Sequence, residues 1–268
     1  MEKGMIATPV LSDAGTVQAG SQAGSMPAHN LLSMQPGEPW AAIDLSNAWF
    51  TLNMPAAPEI DFVALIAHTA TAAATWRIRA ADSEAALTAA PLFDSTEISM
   101  WPPGGRPPGY TYLPSVLNLI SAPEARAWWR VDILDPGNPA GFVSVGRLYA
   151  AKLFRPGKNF AFGASGGLND PSPRERSLGG NLYTDPRPQT REETVTFAWL
   201  TETELRDGIE EIRRQRGTSR DLLLIPNLDD TARLHQTMIY GLLTDPRQRI
   251  HRGHQIFEQT LKLEELRP

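Results

Sequence analysis

The side chains able to do chemistry are few and scattered. The chain has five histidines, His29, His68, His235, His251 and His254, and no cysteine. Only His251 and His254 are close; they flank Gly253 without carboxylate or thiol ligands nearby, which reads as a solvated turn and not as a metal site. The missing thiols remove disulfides, zinc–thiolate sites and cysteine nucleophiles. His68 closes an apolar run beside Thr69 and reads as a hydrogen-bonded structural histidine. The acidic pairs Glu192-Glu193 and Asp229-Asp230 read as solvated surface charge, because neighbours on a strand point to opposite faces and so do not form an acid/base pair. The run Phe162 to Gly167 is rich in glycine but lacks the Lys-Ser/Thr of a phosphate cradle and reads as a flexible loop; Ser165 lies outside a G-x-S-x-G frame. No catalytic residue, metal or cofactor is assigned, and the chain reads as a non-enzyme.

One loop stands apart. Residues 101–114 read WPPGGRPPGYTYLP. Its prolines and glycines deny it both a helix and a central strand. Trp101, Arg106, Tyr110 and Tyr112 are the candidate binding residues, since aromatic faces stack on sugar rings or dock on protein partners and a stiffened backbone lowers the entropic cost. The same rings equally serve to close one end of a sandwich. Trp128 and Trp129 adjoin on a strand, so if one enters the core the other faces outwards.

The elements that must position this loop are mainly strands. Edge strands are read at Ile6 to Leu11 and Thr16 to Gln18, and a shorter one at Trp40 to Leu45. The apolar run Ile60 to His68 predicts a strand covered on both faces. In Thr75 to Ala80, strict alternation puts Trp76 and Ile78 on one face and Arg77 and Arg79 on the other. Ala127 to Ile133 and Phe142 to Tyr149 read as a hairpin about the turn Asp135 to Pro139. Residues 1–157 are thus one β domain. A segment rich in Gly, Asn and Pro, 158–190, reads as an extended arm that orders against neighbouring subunits. In the last domain, 191–268, Thr194 to Leu200 alternates with Val195, Phe197 and Trp199 on one face. Thr201-Glu202-Thr203-Glu204 has the form of a capping box opening a helix at about 202–216, ended by Gly217. Strands follow at Leu222 to Ile225, His235 to Leu243 and Gln255 to Leu263. The fold class is mainly β: a sandwich, then an antiparallel sheet with one helix.

Bulk composition agrees. With 268 residues, 41% hydrophobic and 21% charged, the chain is long enough for two domains and globular in balance. Its 23 prolines and 21 glycines suit many turns between short strands. A net charge of -5 argues against nucleic acid as a partner. No stretch has the length and apolarity of a signal peptide or a bilayer span, so the chain reads as soluble.

Three stretches in order, Pro27-Ala28-His29-Asn30-Leu31-Leu32, Trp40-Ala41-Ala42-Ile43-Asp44-Leu45, and Ile60 through Arg79, make the first 155 or so residues resemble the galactose-binding-like, discoidin-type jelly rolls found in phage tail proteins. Arg191 to Leu205, Leu222 to Pro226 and Ile239-Tyr240-Gly241 are similar to the sheet-plus-helix domain of tail tube, distal tail and tail hub proteins. The resemblance implies a bacteriophage tail-tip protein, assembled in the host cytoplasm into the virion. Its partners would be copies of itself in a ring, tail tube and hub proteins, and a host surface polysaccharide. The alternative is a free-standing carbohydrate-binding module.

Overall fold

The computed structural model describes residues 4–102, 105–106, 112–245, 249–253 and 255–268. The chain is mainly β and divides into two compact units, the first comprising 1–155 with 222–238 and residue 268, the second 156–221 with 239–267. The expectation of one domain over 191–268 therefore meets a different partition: the strand at 222–225 belongs to the first unit. Its partner there is distant in sequence, as Ile6 pairs antiparallel with Leu224.

The first unit is a jelly-roll sandwich. One sheet joins β2 (Thr16–Ala19), β4 (Trp49–Asn53), β9 (Trp128–Leu134), β6 (Thr75–Ala81) and β7 (Phe93–Ser99) in that spatial order, every pair antiparallel. Opposite it, β5 (Glu59–Ile66) runs between β11 (Arg147–Ala151) and β8 (Ser115–Ala125), and β3 (Trp40–Ala42) pairs with β10 (Val143–Val145). The pleat sends alternate side chains inwards. Phe50, Leu52, Trp76, Ile78, Trp129 and Val131 of the first sheet meet Val63, Leu65, Val116, Leu148 and Ala150 of the second in one core. β1 (Met5–Ala7) and β16 (Leu222–Ile225) form the antiparallel pair already named.

As the alternation predicts, Trp76 and Ile78 are buried while Arg77 and Arg79 face outwards, and β5 is buried from Ile60 to Ile66. Of the tryptophan neighbours, Trp129 enters the core and Trp128 is half-buried. The expected hairpin about Asp135 does not form. β9 pairs with β4 and β6, whereas β11 pairs with β5, so the turn carries the chain from one sheet to the other. Asp135 explains the crossing: buried, it accepts from the Thr71 N–H at 2.8 Å, the Thr71 hydroxyl at 2.6 Å and the Asn138 amide at 2.9 Å. A carboxylate used this fully ties the turn to the 69–71 loop and not to its own strand. Arg147, 1% exposed, is likewise held inside by Asp13 at 2.8 Å.

In the second unit, β12 (Ser165–Asn169), β15 (Thr190–Leu200), β19 (Ile256–Glu265) and β17 (Ile239–Asp245) make an antiparallel sheet, with β18 (Ile250–Gly253) on the far part of β19. β13 (Arg174–Arg176) and β14 (Leu182–Thr184) form an exposed hairpin. The Gly-rich run read as a loop thus supplies β12, and the segment read as an arm is a strand and a hairpin within this one chain. The residues read as one strand over His235 to Leu243 begin instead with a helical turn, Leu234–Thr237, in the first unit. Trp199 departs from its expected face: a bulge between Phe197 and Leu200 turns Leu200 inwards and leaves Trp199 exposed.

The capping box forms as read. Glu204 Oε2 accepts from the Thr201 N–H at 2.8 Å, and Thr201 Oγ1 accepts from the Glu204 N–H at 3.3 Å. The helix continues through Glu204–Glu210, with π-type spacing, into Glu211–Arg216. Gly217 ends it at φ +54°, a conformation open to glycine.

Candidate functional site

Trp101, the leading residue of the aromatic loop, is not an open platform. Trp101 is 4% exposed, and its indole N–H donates to the Ala70 carbonyl at 3.1 Å. His68 and His235 meet its ring edge-on, at centroid distances of 5.2 and 6.3 Å. Trp101 packs into the core, as buried indoles do when their N–H finds an acceptor. Arg106 is exposed and lies over the Trp101 ring, 5.7 Å from its centroid. Tyr112 is 37% exposed. Tyr110 lies outside the described residues, as does His254. His251 sits on β18, exposed, and stacks on Phe257 at 4.8 Å.

His68 is as buried as its strand predicts, yet among the described residues neither ring nitrogen has a hydrogen-bond partner. Burial, helped by the nearby Arg106 charge and opposed by Asp135, pushes its pKa down to about 3. The imidazole is therefore neutral at physiological pH and is not the hydrogen-bonded group expected from sequence. Because the folded pKa lies below the unfolded value near 6.5, the group has no effect above that pH. Below it the unfolded chain gains a proton that the folded one refuses, at about 1.4 kcal/mol per pH unit. His68→Leu is expected to remove this slope between pH 6.5 and about 3. Urea midpoints of both proteins across that window test it, and parallel pH dependences would contradict it.

Beside Trp101 runs a groove of about 290 Å³ within the first unit. Met100, Leu119, Leu228 and Met238 supply apolar wall, and Ser99, Ser115, Asn118 and Thr231 place hydroxyl and amide groups among them. Asn118 and Thr231 were not singled out by sequence, for neither has a motif around it; the fold alone brings β8 beside residues 228–238. Among the described residues no three His, Asp or Glu side chains gather where they would hold a metal ion, and no helix is long and apolar enough to cross a membrane. The groove can hold a small molecule through shape and neutral hydrogen bonds.

No protein-family model matches the chain, and no curated protein sequence does. Solved structures do, through about half of it. A family 32 CBM from Clostridium perfringens, in complex with galactose, matches 55% of this chain and 99% of its own at 15% identity and a TM-score of 0.40. A fucose binding module from Streptococcus pneumoniae matches 53% of this chain and 93% of its own, at 11% identity and a TM-score of 0.37. A family 89 glycoside hydrolase from Clostridium perfringens matches at 12% identity and a TM-score of 0.37, and the match spans 53% of this chain but only 14% of that enzyme's length.

Proposed function

We propose that this chain is a non-enzymatic glycan-binding protein whose first unit takes a neutral sugar in the groove beside Trp101. The observation that supports this is the groove's lining: apolar wall suits the C–H face of a pyranose, and the interspersed Ser99, Asn118 and Thr231 suit its hydroxyl edges. Its volume fits one or two sugar rings at most. A glycan array probed with the whole chain tests the reading. Saturable binding to a defined neutral glycan is expected, weakened about tenfold, or ~1.4 kcal/mol, by Asn118→Ala. Binding to nothing, or binding indifferent to Asn118, would discard it.

A second reading places the protein in a virion, as a bacteriophage tail-tip component made in the host cytoplasm, its second unit mounting it among copies of itself and neighbouring tail proteins. Exposed apolar side chains favour it. Phe162 and Leu178 are fully exposed, Leu168 and Tyr183 largely so, an arrangement costly for a chain acting alone. β12, which carries Leu168, has a strand partner on one side only among the described residues, leaving an edge that another strand can extend. Antibody labelling of phage particles in the electron microscope tests this: label at the tail tip supports it, and unlabelled particles with free protein in the medium reject it.

A further inference from the structure

The outer face of the five-stranded sheet holds a second concavity, about 410 Å³, that lies apart from the Trp101 groove. The strand register arranges it as two rows. In one, Trp49 lies opposite Asp132, Asp132 opposite Arg77, and Arg77 opposite Glu97; in the next, Thr51 lies opposite Arg130, Arg130 opposite Arg79, and Arg79 opposite Asp94. Two arginines thus face each other directly on adjacent strands, a placement that costs stability.

The pairing around them is incomplete. Arg77 turns to Asp94, with Nε 2.8 Å from Oδ1, and that guanidinium holds the Asp94 carboxyl below its usual pKa. Arg79 and Arg130 must then share Asp132, at 2.7 and 2.8 Å. Asp132 Oδ2 accepts from Arg79 and Oδ1 from Arg130, and among the described residues the buried Arg79 Nε–H has no acceptor. Arg130 is fixed in place, its guanidinium lying 3.9 Å from the centre of the Trp49 ring. Glu97 sits in the neighbouring row, where it accepts from the Thr75 hydroxyl at 3.2 Å, and Asn47 is exposed at the rim.

We propose that this concavity is a binding site for a sugar acid with a single carboxylate, a hexuronate in size, whose carboxylate lies between Arg79 and Arg130 and whose hydroxyls reach Glu97 and Asn47. The ligand carboxylate gives the facing guanidiniums of Arg79 and Arg130 a second anionic acceptor beside Asp132, which the two otherwise share. Glu97 sets the orientation: it repels a second carboxylate but accepts from a hydroxyl. A planar guanidinium fork matches a carboxylate in a way that an ammonium does not.

Calorimetric titration of the whole chain with glucuronate and galacturonate, against glucose, galactose and acetate, tests this. At least one uronate is expected to bind ~10-fold or more tightly than its neutral parent and than acetate. Arg79→Lys and Arg130→Lys should each weaken it ~10-fold, since charge remains but the fork is lost. Leu134→Trp, at a 38% exposed rim position, fills the cavity without touching any ion pair and should abolish it even if the arginine variants fold poorly. Equal affinity for uronate and neutral parent, no uronate binding, or binding undisturbed by Leu134→Trp overturns the proposal. Neutral-glycan binding in the Trp101 groove is independent of these outcomes.

Discussion

Asp221→Asn is expected to destabilise the second unit by about 3–5 kcal/mol. Asp221 is 1% exposed and Arg216 3% exposed; the guanidinium donates to the Asp221 carboxylate at 2.6 Å and to its backbone carbonyl at 2.7 Å. Neutralising the acid removes the Asp221 counter-charge from a buried cation, and the remaining hydrogen bonds offset its desolvation only in part. The pair closes the end of the helix that the capping box opens, so its loss should release that helix first. Hydrogen exchange over 204–221 measures this directly. The paired replacement Arg216→Met with Asp221→Leu should recover most of the loss, because apolar residues of similar size carry no desolvation cost. Protection unchanged by Asp221→Asn would show that the ion pair contributes nothing.

Trp101→Ala is expected to cost the first unit about 3–5 kcal/mol, the range for removing a buried indole. Two effects add: a cavity between His68 and His235, and an orphaned Ala70 carbonyl. Trp101→Phe keeps most of the ring and should cost ~1–2 kcal/mol for the lost hydrogen bond alone. Denaturant unfolding monitored on the first unit distinguishes them. A loss below ~1 kcal/mol for the alanine variant would place Trp101 on the surface after all. Loss of sugar binding in Trp101→Ala would therefore report unfolding of the sandwich end, which is why Asn118 is the informative position.

Much of the sandwich was legible because its signals are local. The period-two pattern of Thr75 to Ala81 names both the buried and the outward face, and Ile60 to Ile66, apolar but for Asp61, is buried throughout. Thr201 and Glu204 announce the helix start, since both halves of the reciprocal bond lie within four residues. Distant pairings were not legible. Nothing around Leu222 to Ile225 points to Met5 to Ala7, which is why that strand reads as part of the last domain. The turn at Asp135 looked like a hairpin because Pro-Gly-Asn-Pro is turn chemistry in either setting; the deciding partner, Thr71, lies 64 residues away. At the candidate site, composition identified an aromatic loop but could not tell a ring that binds from a ring that packs. The arginines of β6 were read as outward, yet their convergence with Arg130 and Trp49 depends on register between strands that are not neighbours in sequence.

The most direct test of the glycan-binding account is an equilibrium titration of the whole chain with the best neutral glycan from the array, repeated with Asn118→Ala and Leu134→Trp. The account predicts saturable binding that Asn118→Ala weakens about tenfold and Leu134→Trp leaves unchanged. Binding that Leu134→Trp abolishes and Asn118→Ala spares would move the neutral-sugar site to the outer sheet face and contradict it, and so would no binding at all.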